Sequence, residues 1–148
     1  MTVQPGNRSA LIGFAAALLV IVALLIRHEL FARTPVFIVM QALALALMVW
    51  ARLTFGRRSF HAAANPTAGG LVTAGPYRIW RHPIYAAIIY FVWAGVADSR
   101  SAVAAALAAA ASAGLIVRMI AEERFLRAAY PTYGAYAERT SRVVPGIF

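Results

Sequence analysis

The stretch Pro83-Ile84-Tyr85-Ala86-Ala87-Ile88-Ile89-Tyr90-Phe91-Val92-Trp93-Ala94-Gly95-Val96-Ala97 carries no charge, and Asp98-Ser99-Arg100-Ser101 turns it into a second apolar run, Ala102–Ile120. Proline is at home in the first turn of a helix. A helix that is apolar all round, rather than along one stripe, is buried in protein or faces lipid. The pair therefore reads as a helical hairpin in a membrane. Alanine dominates its second arm and is only weakly hydrophobic, so that arm is expected to pack against protein. Ala110-x-x-x-Gly114 fits the small-xxx-small spacing that lets helix backbones approach.

Working outward, two further runs precede the hairpin. Ala10–Ile26 spans roughly 25 Å as a helix, and extension to Phe31 would bring it to the ~30 Å of a bilayer core. Arg27-His28-Glu29 follows it without a small-x-small cleavage site, so it reads as a retained helix rather than a signal peptide. Pro35 opens the next run, Val36–Phe55, and Gly56-Arg57-Arg58 stops it. A Gly/Pro-rich loop then extends from Ser59 to His82, with turn signals at Asn65-Pro66, Gly69-Gly70 and Gly75-Pro76. After Ile120 the chain leaves the membrane as a charged, aromatic tail whose helix breaks at Pro131.

Composition agrees with this reading. Apolar residues make up 62% of the 148 and charged residues 13%, against about 25% charged in soluble domains. The expected fold is all-α: a single polytopic membrane domain over 1–148 with about four transmembrane helices. All 14 basic residues are Arg, against 5 acidic ones. Arg8, Arg52, Arg57, Arg58, Arg78, Arg81, Arg118, Arg124, Arg127, Arg139 and Arg142 fall on one side, and Arg27, Arg33 and Arg100 on the other. The positive-inside rule puts the richer side, with both termini and the long loop, in the cytosol. No basic domain is left over for nucleic acid, and the absence of cysteine removes thiolate nucleophiles and Cys-based metal sites. No metal site is expected.

Two polar blocks share the cytosolic side. The first is Gly75-Pro76-Tyr77-Arg78-Ile79-Trp80-Arg81-His82-Pro83-Ile84-Tyr85. Pro83 places His82 near a helix N-cap, where backbone N–H groups suit an anion. Arg81 can grip a carboxylate through two parallel bonds, and Tyr77 and Tyr85 offer flat faces to an adenine ring or a sulfonium. The second block is Glu122-Glu123-Arg124-Phe125-Leu126, followed by Tyr130, Tyr133, Tyr136, Arg139 and Pro145-Gly146. Its carboxylates suit an amino group or ribose hydroxyls. A plainer reading stands beside this one. Arg118/Glu122 and Glu123/Arg127 are spaced i, i+4, which stabilises a helix surface by about 0.2–0.5 kcal/mol without any ligand. Aromatic residues at helix ends anchor interfaces. His28 and His61 have no neighbours that define chemistry.

Leu71-Val72-Thr73-Ala74-Gly75-Pro76-Tyr77-Arg78 leading to Arg81-His82-Pro83-Ile84-Tyr85 resembles the first motif of the isoprenylcysteine carboxyl methyltransferase family. Glu122-Glu123-x-Phe125-Leu126, Tyr133, Tyr136, Arg139 and Arg142-Val143-Val144-Pro145-Gly146 resemble its C-terminal motif. The resemblance covers about residues 69–148. Ala86 and Ala87 stand where the family often has glycine, and Tyr130-Pro131 where Phe-Gly is more usual. The resemblance implies an S-adenosylmethionine-dependent methyltransferase whose cytosolic cofactor pocket is built by the loop before the third helix and the C-terminal tail. It implies a lipophilic small molecule or lipidated acceptor arriving from the bilayer, a prenylated cysteine carboxylate in eukaryotic members. By position, Tyr77, His82, Pro83, Tyr85 and Glu122 line the cofactor pocket, Glu123 supports it, and Arg81 and Arg139 hold or polarise the acceptor. The all-Arg, Ala-rich composition points to a bacterial inner membrane. Two other readings stay open: a sterol-type membrane reductase using NADPH, and a non-catalytic scaffold with a degenerate site.

Overall fold

The computed structural model describes residues 5–56 and 70–148, with side chains from residue 11 onward. Five α-helices follow one another: α1 (Pro5–Ile26), α2 (Pro35–Phe55), α3 (Pro83–Ser99), α4 (Ala102–Ala129) and the short α5 (Tyr133–Glu138). A 3₁₀ turn, Gly75–Arg78, precedes α3. There are no strands among the described residues. Most of the loop expected between Ser59 and His82 lies outside them, as do Arg57, Arg58 and His61.

α1 lies along α4 and α2 along α3, and the α3–α4 hairpin joins the two pairs. α2 and α4 are long and apolar enough to cross a membrane; α3 and the Leu11–Ile26 part of α1 are apolar but shorter. Leu19, Leu43 and Leu53 are 70%, 66% and 76% exposed. Aliphatic surface of that extent is a liability in water and ordinary in lipid.

Local chemistry sets the boundaries. α1 stops at Ile26 instead of continuing to Phe31. His28 adopts a left-handed φ of 56°, and the amides of Arg27, His28 and Glu29 fold back onto Ala23, Leu25 and Leu24. The early stop lets Leu30 drop into the core beside Val92 and Val96. The helix gains length at its other end, reaching back to Pro5 rather than Ala10. α2 begins at Pro35 as its sequence predicts, and Asp98 of α3 accepts the amides of Arg33 and Thr34 just ahead of it. Buried Gln41 donates to the carbonyls of Leu30 (2.8 Å) and Phe91 (3.0 Å) and accepts from the Ala32 amide (3.0 Å), tying α2 to both neighbours. Arg100 ends α3 in a left-handed conformation, and Ser101 caps α4 through the Ala104 amide.

Gly114 marks a close helix crossing, as expected, but Ala110 is exposed and lies off the contact. A Cβ on Gly114 would sit 2.7 Å from the Gly13 carbonyl oxygen, and one on Gly13 would sit 2.5 Å from that of Gly114. Within the alanine run the buried residues are Ala104, Ala108 and Ala111, which follow the helical period on the core side. α4 continues unbroken to Ala129, about 42 Å at 1.5 Å per residue for its 28 residues. It therefore carries Glu122 and Glu123 on the rigid helix that begins in the alanine run.

Candidate active site

The segment before α3 and the C-terminal tail meet at the head of the hairpin. The Arg81 amide donates to the Ser141 carbonyl (2.7 Å), and the Ser141 amide to that of Ile79 (2.9 Å), an isolated parallel bridge. The Trp80 indole donates to the Val143 carbonyl (2.8 Å), which also accepts the Tyr90 hydroxyl. The Tyr136 hydroxyl donates to the Tyr77 carbonyl (2.8 Å). These bonds bring residues 75–85 and 122–143 together.

Two carboxylates organise the site. Glu122 Oε1 accepts the Tyr85 hydroxyl (2.5 Å) and pairs with Arg118 Nε (3.0 Å), which also donates to the Tyr85 oxygen (2.5 Å). Arg118 is 3% exposed, and its guanidinium lies 4.7 Å from the centre of the Phe14 ring. Glu123 accepts two parallel bonds from Arg142 (2.9 and 3.0 Å), with Arg81 Nη1 at 3.3 Å. His82 stands between them: Nε2 is 3.3 Å from Glu123 and Nδ1 is 3.6 Å from Glu122. His82 is the N-cap residue of α3, but its side chain caps nothing; the ring stacks on Tyr85 instead.

Tyr85, Arg81, His82, Pro83, Glu122 and Glu123 are thus gathered by the fold. Tyr77 is buried nearby and leans on Phe55 at 5.6 Å. Arg139 is exposed and stands outside this network among the described residues. Burial raises the phenols of Tyr77 and Tyr133, and lifts Tyr136 to about 12. All three phenols stay protonated near pH 7.

Sequence reasoning missed two members of the site. Arg118 reads as half of a helix-surface pair, yet it is buried. The available signal was a lone charge on an otherwise apolar, alanine-rich helix, where ionisable groups are costly and functional. Arg142 takes the Glu123 contact that i, i+4 spacing assigned to Arg127, which lies over the Tyr133 ring at 5.5 Å. No local spacing announces a partner contributed by the tail.

The arrangement offers acidic, basic, imidazole and aromatic groups in a site flanked by apolar helices. The sequence model of the phospholipid methyltransferase family matches residues 32–133. That match reaches back through α2, which by motif alone is a generic span, and stops before Arg139. The cobalt-zinc-cadmium resistance protein CzcN of Cupriavidus metallidurans is 37% identical over 76 residues, 51% of this chain and 35% of CzcN. The match thus spans about a third of that relative's length. No solved structure matches the chain.

Proposed function

This chain belongs to the phospholipid methyltransferase family, and on that premise we propose that it methylates a lipophilic acceptor at the membrane surface using S-adenosylmethionine. Membership is consistent with a small relative of the isoprenylcysteine carboxyl methyltransferases, and supports a membrane methyltransferase in general. The observation that carries the finer reading is the paired-carboxylate cluster at the head of the α3–α4 hairpin, and an apolar cleft opens further along α3. The cleft, about 250 Å³, is lined only by apolar side chains, among them Ile21, Leu30, Met48, Ala87, Ile88 and Phe91. Ala87 and Ile88 lie two and three residues beyond Tyr85 on the same helix. A hydrocarbon tail held there would keep its reactive end near the charged cluster.

The residues present fit the cofactor. Glu122, its side chain 19% exposed, suits an ammonium group or ribose hydroxyls. Tyr77 and Tyr85 supply aromatic faces to an adenine ring or a sulfonium. When bound, S-adenosylmethionine supplies a methyl group on a sulfonium leaving group. The protein's task is then positioning and exclusion of water. Arg118 and Tyr85 hold Glu122 in place, Arg142 and Arg81 hold Glu123, and His82 sets the spacing of the two carboxylates. Arg81 and Arg139 orient the acceptor. A carboxylate acceptor is ionised at neutral pH and needs no general base. The arginine-rich end is the cytosolic one by the positive-inside rule, which puts both termini on the cytosolic side of a bacterial inner membrane. No observation favours a reductase or scaffold reading over this one.

Calorimetry with S-adenosylmethionine and S-adenosylhomocysteine on detergent-purified protein tests the proposal. Saturable binding that is lost in Glu122→Ala supports it. A folded protein that binds neither ligand, in detergent or in lipid nanodiscs, overturns it.

A further inference from the structure

Two buried side-chain atoms among the described residues have no hydrogen-bond partner: Arg81 Nε and the Tyr133 hydroxyl. Buried polar groups are nearly always paired, so each orphan calls for an explanation. Tyr133 is 1% exposed, its ring held edge-on to Tyr136 at 5.8 Å and under the Arg127 guanidinium at 5.5 Å. The Arg81 side chain is 11% exposed, fixed by Glu123 at one end and by its own backbone bond to Ser141 at the other. Both face the same stretch of α4: Arg81 contacts Glu123, and Arg127, one turn further along, lies over the Tyr133 ring.

We propose that Tyr133 and Arg81 form a seat for a ligand carboxylate, making Tyr133 a further binding residue of the methyltransferase site. Three features select that group. Arg81 Nε can only donate and the neutral Tyr133 hydroxyl can donate, so an acceptor satisfies both. Arg81 and Arg142 place two guanidiniums on the single carboxylate of Glu123, leaving one positive charge in surplus. Tyr133 is 1% exposed, and so deep a position suits a terminal carboxylate better than a phosphodiester esterified on both sides. Each carboxylate oxygen can meet one donor. The carboxylate comes either from the amino-acid end of the cofactor or from the acceptor. This inference rests on the methyltransferase reading and adds to it a role for a residue buried in the tail.

The test uses the full chain in nanodiscs and two ligand pairs, each differing in the carboxylate. S-adenosylhomocysteine is compared with 5′-methylthioadenosine, which lacks the amino-acid end, and N-acetyl-S-farnesylcysteine with its methyl ester. Tyr133→Phe removes one donor; Arg81→Lys keeps the charge but removes Nε–H. Both variants should weaken one acid-bearing ligand about tenfold or more, as for a hydrogen bond to a charged group, and leave its carboxylate-free counterpart unchanged. Loss confined to S-adenosylhomocysteine assigns the seat to the cofactor, and loss confined to the farnesylated acid assigns it to the acceptor. The melting temperature of ligand-free Tyr133→Phe should equal or exceed that of the wild type, because the hydroxyl has no partner to lose. Unchanged binding of both acids overturns the inference, as does equal weakening of acids and counterparts, which would mark a packing role. If wild-type protein binds each acid no better than its counterpart, the seat is refuted while the methyltransferase reading stands. If wild-type protein binds neither nucleoside, that reading falls and the inference with it.

Discussion

The pair Arg118–Glu122 separates two accounts of the same residues. Seen only as an i, i+4 pair on a helix surface, it is worth about 0.2–0.5 kcal/mol. The structure instead buries Arg118 to 3% exposure and gives its Nε two acceptors, Tyr85 at 2.5 Å and Glu122 at 3.0 Å. Hydrogen bonds to charged groups contribute about 1.5–3 kcal/mol, and breaking a fully buried pair costs about 3–5 kcal/mol. Glu122 keeps 19% of its side chain exposed and can partly rehydrate, so the lower range applies. Arg118→Met should cost about 2–3 kcal/mol, lowering the melting temperature by roughly 5–10 °C for a chain of this size. A double-mutant cycle with Glu122→Gln, followed by reversible unfolding in detergent, should give a coupling of about 1–2 kcal/mol. A coupling no larger than that of an exposed pair would refute the reasoning and return Arg118 to the helix surface. Arg124→Ala, on the exposed side of the same helix, is the control and should change stability by less than about 0.5 kcal/mol.

Gly114→Val should destabilise by at least about 1–3 kcal/mol, because its side chain would be driven into the Gly13 backbone at 2.7 Å rather than into a flexible neighbour; thermal unfolding beside Ala110→Val, at an exposed position, reads the difference. Arg139→Ala should reduce methyl transfer with cofactor affinity nearly unchanged, as its side chain stands outside the carboxylate network. Calorimetry beside a turnover assay checks this, and equal loss of cofactor binding would place Arg139 in the cofactor site.

The helices were legible because their signals are local. Pro35 and Pro83 mark starts, Gly56 a stop, and uninterrupted apolar runs mark lengths. The end of α1 was not legible, because it depends on Leu30 finding the α3–α4 core, a tertiary contact with no trace in the periodicity around Phe31. Ala110-x-x-x-Gly114 includes an exposed alanine for a similar reason: spacing names a set of faces, and only the partner helix decides which one is inside. Within the site, the motif residues Arg81, His82, Tyr85, Glu122 and Glu123 do assemble. Their pairing was hidden, since Glu123 finds Arg142 across a turn and a short helix rather than Arg127 one turn along its own.

The two carboxylates are electrostatically unlike, and this bears on what the site can hold. Glu122 is balanced by one guanidinium, Arg118, and is the more exposed of the two. Glu123 is 5% exposed and outnumbered by Arg81 and Arg142. Their separation is maintained by the His82 ring, which touches both and is itself held on Tyr85. A ligand with a positive and a negative group on one short backbone meets opposite preferences a few ångströms apart: a solvent-reachable carboxylate at Glu122 and surplus positive charge at Glu123. A purely anionic ligand would be drawn to the second and gain nothing at the first; a purely cationic one would meet the reverse. On the proposed function, this charge asymmetry suits a zwitterionic headpiece. The tail supplies Arg142 and, through Val143, the acceptor for Trp80 and Tyr90, so that asymmetry exists only once the tail has docked on the hairpin.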